Sequence, residues 1–297
     1  MCPLPKAFEY FAPENINEAL DLLNRFKDKA KILAGGQSLI PLMKYRLLSP
    51  EYVIDLRKLK DLIFIKEKDQ NRISIGALTT YIMIEFSPLI EQKCPLLKEV
   101  TNSLSDLQVK NRGTIGGSIC HADPAAHYPP AMLALNAQFK LMSKENGERI
   151  VNAEDFFIDA YTTLIKPDEI LTEIEIDAFQ NDFGWGFEYL NYGGAGYPIV
   201  IAITILKMRN DVCEDVRIAL GGVSLTPIRA KIIESSLKGE KLNSEIIDKI
   251  IFEKMEEMRI NPPSDIHASS EYRKEMAKVL TRRAIKKALK RLKGDGV

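Results

Sequence analysis

Apolar residues recur at positions 16, 19, 20, 23 and 26, which a helix of 3.6 residues per turn gathers on one face. Asn15 and Glu18 open that run with the spacing of a capping box, so a helix is predicted over 15–26. Short β-like runs flank it at AFEYF (7–11), KILAG (31–35) and EYVIDL (51–56). SLIPLMKYRL (38–47) predicts a second helix, with Ser38 as its cap and Pro41 tolerated in the first turn. Residues 1–57 therefore form a small β/α unit.

The period of two returns in IFIKE (63–67) and RISIGAL (72–78), and helical text follows from Thr79 to about Leu107. A strand is expected at AQFKLMS (137–143) and a turn at ENGE (145–148). DEILTEIEI (168–176) alternates as a half-buried strand should. We place a domain boundary near residue 178. Beyond it GFEYLNY (186–192), PIVIAITILKM (198–208) and VRIALGGV (216–223) predict three strands of an antiparallel sheet, and the remainder is helical. The last helix (270–293) is basic on its polar positions, which suits either a solvated face or an acidic partner.

Composition narrows the function. The 297 residues suffice for about two domains, and 41 basic residues balance 41 acidic ones, so no overall field points to nucleic acid or an acidic membrane surface. No apolar run has the length of a membrane span, and the N-terminus lacks the order of a signal peptide, so a cytoplasmic location is expected. Cys2, Cys94, Cys120 and Cys213 lie far apart with no C-x-x-C pair. They read as reduced, mostly buried thiols, with no disulfide framework and no iron–sulfur or other metal site. His121 and His127, six apart, make a poor ligand set.

Candidate chemistry lies in two glycine loops. AGGQS (34–38) follows a predicted strand and opens a helix, where bare amides and the positive helix terminus together suit an anion. RGTIGGS (112–118) repeats the device, Gly116 falling 81 residues after Gly35, so two amide nests could grip two phosphates from both sides. Neither the Rossmann G-x-G-x-x-G nor the P-loop string is present.

AGGQSLIPLMKYRLLSPEYVIDL (34–56), VKNRGTIGGSICHADPAA (109–126), LGGVSLTPIRA (220–230) and SSEYRKEM (269–276) resemble, in order over almost the whole chain, the FAD-binding medium subunit of the molybdenum hydroxylases. That group contains carbon monoxide dehydrogenase, aldehyde oxidoreductases and xanthine dehydrogenase. The resemblance implies an α+β protein: a two-lobed, vanillyl-alcohol-oxidase-like FAD-binding domain (1–178, lobes about 1–57 and 58–178), then a small domain of antiparallel sheet plus helices (179–297). It implies that Ala34, Gly35, Gly36, Gln37, Ser38 and Leu39 in the first loop, and Thr114, Ile115, Gly116, Gly117 and Ser118 in the second, bind the FAD pyrophosphate mainly through backbone amides. Asp123 would lie beside the cofactor as a hydrogen-bonding acid, and Tyr192 and Tyr197 bracket a loop that either lies near the flavin ring or is a simple turn.

One departure stands out. Relatives carry an aspartate where this chain has His127, a group whose charge would shift near pH 6.5 if it kept its ordinary pKa. The implied role is an electron-transfer subunit, with no catalytic acid–base pair of its own, working with a large molybdenum-cofactor subunit and a small [2Fe-2S] subunit as a dimer of heterotrimers. An aldehyde is the expected substrate of the complex. The alternative is a stand-alone FAD-dependent oxidase or dehydrogenase of the same fold; a flavin-free assembly module is opposed by the intact glycine loops.

Overall fold

The computed structural model describes residues 4–179, 182–193 and 196–293. Cys2, Gly194 and Ala195 fall outside these. The N-terminal part is a three-stranded parallel sheet of β1 (Glu9–Phe11), β2 (Ala30–Leu33) and β3 (Tyr52–Asp55), with β3 in the middle. Helices α1 (Ile16–Phe26) and α2 (Leu39–Lys44) connect the strands. The capping box forms as predicted: Asn15 Oδ1 accepts from Glu18 N, and the Glu18 carboxylate reaches back to Glu14 N and Asn15 Nδ2. Ala19, Leu20 and Leu23 then pack under Ile54, and the rings of Phe26 and Tyr52 stack at 3.8 Å.

A second, antiparallel sheet combines β4 (Ile65–Asp69), β5 (Arg72–Gly76), β6 (Gln138–Ser143), β7 (Gly147–Asn152) and, after α9 (Ala153–Phe156) and the ribbon of β8 (Phe157–Asp159) and β9 (Thr162–Thr163), the strand β10 (Glu169–Asp177). Between β5 and β6 run α3 (Tyr81–Glu85), α4 (Pro88–Lys93), α5 (Pro95–Asn102), α6 (Leu107–Arg112), α7 (Ile115–His121) and α8 (Tyr128–Ala134). The continuous helical text from Thr79 to Leu107 is therefore cut into short helices. Two cuts fall at Ser87-Pro88 and Cys94-Pro95, where proline keeps the preceding residue out of the helical region (Cys94 φ −150°, ψ 62°) and then serves as the first residue of the next helix, and a third precedes Asp106, which caps α6.

β10 is buried on both faces, not half-buried, because Leu171, Ile174 and Ile176 join the large core while Ile170 packs with Ala19, Leu20 and Leu23 of α1. Its polar positions are matched inside: Glu169 with Arg149, Glu173 with Lys140, Glu175 with Lys68.

The C-terminal part is an antiparallel sheet of β11 (Phe183–Asn191), β12 (Pro198–Arg209), β13 (Val212–Gly221) and the two-residue β14 (Ile228–Arg229), covered by α10 (Lys231–Leu237), α11 (Ser244–Glu257) and α12 (Ser270–Leu292). α12 lies so close to β11 that a Cβ at Gly186 would stand 1.9 Å from Ala284 O. The basic face of α12 is largely spent within the molecule. Lys278 pairs with Glu256 and Glu275, Arg282 and Lys286 with Asp248, and Lys287 and Arg291 with Glu99 on α5.

Among the described cysteines Cys94 and Cys213 are buried and Cys120 partly so, and all three are free thiols. Burial pushes the Cys94 and Cys120 thiols up to about 12 and Cys213 to about 11, which suits packing over reactivity. No helix among the described residues is long and apolar enough to cross a membrane.

Candidate flavin site

The two glycine loops meet. β2 ends at Leu33, the chain turns through Gly36 with φ +77°, and Gly35 is pressed so closely on the end of α6 that a Cβ there would stand 2.1 Å from Arg112 O and 2.9 Å from Gly113 Cα. Only glycine permits that approach. The tertiary fold thus joins segments 78 residues apart, Gly35 and Gly113, into one wall.

Their amides are used differently. In the first loop the earliest N–H to find a main-chain carbonyl is that of Ile40, donating to Gly36 O at 3.1 Å; the amides of Gly35 to Leu39 have no acceptor among the described residues. Ser38 makes no side-chain cap bond, contrary to its predicted role, since its backbone is already helical (φ −106°, ψ −48°) where a capping residue is extended. Gln37 Nε2 donates to Gly35 O at 3.2 Å and braces the turn.

The second loop has no such open row. Ile115 N donates to Thr79 O and Gly116 N to Ala77 O, each at 3.0 Å, while Gly117 N and Ser118 N donate to Thr114 Oγ1 and Thr114 O, each at 3.1 Å. The expectation of two amide nests is therefore corrected to one, because the start of α7 is stitched to the end of β5. What the second loop contributes is shape. A Cβ at Gly116 would stand 2.6 Å from Ala77 O, so that glycine lets α7 sit on the strand. At Gly117 a Cβ would touch only the capping Thr114 Oγ1 at 2.8 Å and Ala34 Cβ at 4.0 Å, so its missing side chain leaves room facing the first loop.

α7 ends at Ala122 in the left-handed region (φ +49°), which turns the chain into Asp123. Asp123 Oδ1 accepts from Ala125 N at 2.9 Å. Three groups gather around this acid: desolvation, then the Asp123 charge, raise the phenols of Tyr161 and Tyr197, while burial lowers His121 against the pull of Asp123. The rings of His121 and Tyr161 lie 5.2 Å apart. Tyr81, its phenol pushed up to about 12 by burial, packs its ring against Gly113 at the start of the second loop. Tyr161 escaped sequence reading, because only the fold brings the β8–β9 ribbon beneath α7; its N–H donates to Ala122 O at 3.0 Å.

His127 lies inward. It is 6% exposed and meets Phe187 and Tyr189 of β11 edge-on at 5.9 and 5.5 Å, while its Nε2 is buried without a partner. Burial lowers it to about 4, so the imidazole is neutral at physiological pH and the expected charge change near 6.5 does not occur in the folded protein. Among the described residues no three His, Cys, Asp or Glu side chains come together as a metal site.

FAD fits this geometry on two counts. A row of five amides without protein acceptors, on exposed or half-exposed residues, suits a pyrophosphate, and glycine at 117 keeps a side chain out of the space that faces Ala34.

Residues 6–177 match the family described as FAD binding domain in molybdopterin dehydrogenase, and residues 186–288 match CO dehydrogenase flavoprotein C-terminal domain. The chain belongs to the FAD-binding subunits of the molybdenum hydroxylases. It is 39% identical over 282 residues to the glyceraldehyde dehydrogenase medium chain of Sulfolobus acidocaldarius, covering 95% of this chain and 98% of that one. It is 36% identical over 290 residues to the carbon monoxide dehydrogenase medium chain of Afipia carboxidovorans, covering 98% and 99%. The solved carbon monoxide dehydrogenase of Hydrogenophaga pseudoflava that lacks the Mo-pyranopterin moiety superposes with a TM-score of 0.93 at 34% identity, covering 97% of this chain and 99% of that one. This chain is accordingly an oxidoreductase flavoprotein with FAD as its cofactor.

Proposed function

We propose that this chain relays electrons as the FAD subunit of an aldehyde-oxidising complex. A large molybdenum-cofactor subunit would oxidise the substrate, a small [2Fe-2S] subunit would carry the electrons, and FAD would pass them to an external acceptor. Two such heterotrimers would pair, in the cytoplasm. The aldehyde assignment is supported by the likeness to a glyceraldehyde dehydrogenase medium chain. We further propose the division into a 1–178 FAD domain and a 179–297 C-terminal domain.

The observation that carries the cofactor's seat is the meeting of the two loops with the amides of Gly35 to Leu39 left open. Those amides, of Gly35, Gly36, Gln37, Ser38 and Leu39, would hold the pyrophosphate, with Ala34 leading the chain into the turn. Thr114, Ile115, Gly116, Gly117 and Ser118 would form the opposite wall, with Gly117 giving clearance. Asp123 would accept a hydrogen bond from the ligand, and the buried, partnerless Nε2 of His127 is able to exchange another. FAD when bound supplies the redox chemistry; the side chains hold, orient and shield it.

Purification of the assembled complex from its native source tests the reading. One FAD per copy of this chain, with molybdenum and iron–sulfur subunits co-purifying and an aldehyde reducing the flavin, is expected. Aldehyde turnover by the isolated chain would contradict it.

A further inference from the structure

We propose that Arg273 is a positioning residue for the flavin site: it holds Ile199 directly and Tyr192 through Asp265 and the His267 ring, and so anchors the chain on either side of Tyr197. The proposal rests on the FAD reading above. Arg273, on the first turn of α12, is 5% exposed. Its Nη1 donates to Ile199 O and, at 3.4 Å, to Gly222 O, while Nη2 donates to Asp265 Oδ2 at 2.6 Å. The entry to β12, the exit of β13 and the turn before α12 thus end on one side chain. The junction is tight: Gly222 has φ +74°, and a Cβ there would stand 2.2 Å from Ile199 O, the carbonyl that Arg273 holds. A planar guanidinium reaches all three acceptors at fixed angles, which an ammonium on a flexible stem does not.

Asp265 carries the link onward. Its Oδ1 accepts from His267 N at 2.9 Å and Ala268 N at 3.0 Å, and the His267 ring packs 5.0 Å from the ring of Tyr192. Tyr197 lies between the two points held, two residues before Ile199, with Asp123 within electrostatic reach of its phenol. A cation this deep, with one partly exposed carboxylate and an Nε lacking any partner, is costly compared with an apolar side chain of its size. Lys278 and Thr281 of α12 are buried polar residues as well, but Ala277, Leu280 and Ala284 fill the core as apolar ones, so packing alone does not call for an arginine at 273. Holding three loops in register does.

The test uses the full chain reconstituted with FAD, as wild type, Arg273→Lys and Asp265→Asn. Chymotryptic cleavage after Tyr192 is compared with cleavage after the exposed Tyr45 in the same digest, and the visible circular dichroism of bound FAD is recorded at matched occupancy. Both variants are expected to raise the cleavage ratio about threefold or more and to change the flavin bands, because release of the anchor raises local opening. An unchanged ratio in Asp265→Asn, whose altered side chain is partly exposed, overturns the anchor even if Arg273→Lys fails to fold. A raised ratio with unchanged flavin bands overturns the link to the flavin. Failure of the wild type to take up FAD would refute the reading of the glycine loops instead, and the cleavage ratio would still judge Arg273's hold on Tyr192.

Discussion

The two glycine loops look alike in sequence and differ in what their backbones do. AGGQS leaves its amides open, whereas the amides of TIGGS are all but consumed by Ala77, Thr79 and Thr114. A glycine pair is thus evidence of close approach, and whether the partner is a ligand or another piece of chain depends on where the donors end up. Here Gly35, Gly113 and Gly116 serve backbone against backbone or ring, while Gly117 meets only the Thr114 hydroxyl and Ala34 Cβ.

The largest effect expected from breaking this contrast is at Gly35. Gly35→Val would drive a side chain into the carbonyl of Arg112, backbone against backbone, so a loss of about 3 kcal/mol is expected in urea unfolding of the apoprotein. Gly117→Val should behave oppositely. Only a threonine hydroxyl must move, so the fold survives, but FAD affinity should fall about a hundredfold, roughly 2.7 kcal/mol, measured by flavin titration. A yellow Gly117→Val protein with full occupancy would remove the second loop from the site.

His127 gives a smaller, pH-dependent effect. Its pKa is depressed by burial to about 4, so the unfolded chain binds the proton more readily and stability falls as pH drops from about 6.5 towards 4. Relative to pH 7, wild type should lose about 2 kcal/mol more by pH 4.5 than His127→Asn does. Equal acid sensitivity would mean the imidazole is better solvated than its burial indicates. The smallest effects separate the loops by their caps. Thr114→Ala removes the acceptor for Gly117 N and should cost about 1 kcal/mol, while Ser38→Ala, which breaks no cap bond, should leave the melting temperature unchanged.

Local patterns determined much of this molecule. The 15–26 helix, the strand near 138–143 and the three long C-terminal strands followed from spacing alone, since capping and periodicity act over a few residues. The glycine loops and the family were legible because bare backbone leaves a mark in the sequence. The prolines at 88 and 95 carried two of the helix breaks too, as local a signal as any. Contacts between distant segments were not legible: the meeting of Gly35 with Arg112, the cover that α1 and the large core give the two faces of β10, and the pairing of a basic helix with Glu99 and Asp248. His127 shows the same divide. The sequence determined that an imidazole stands there, but its pKa depends on the water removed by β11, a strand more than fifty residues away, and only the tertiary structure decides that.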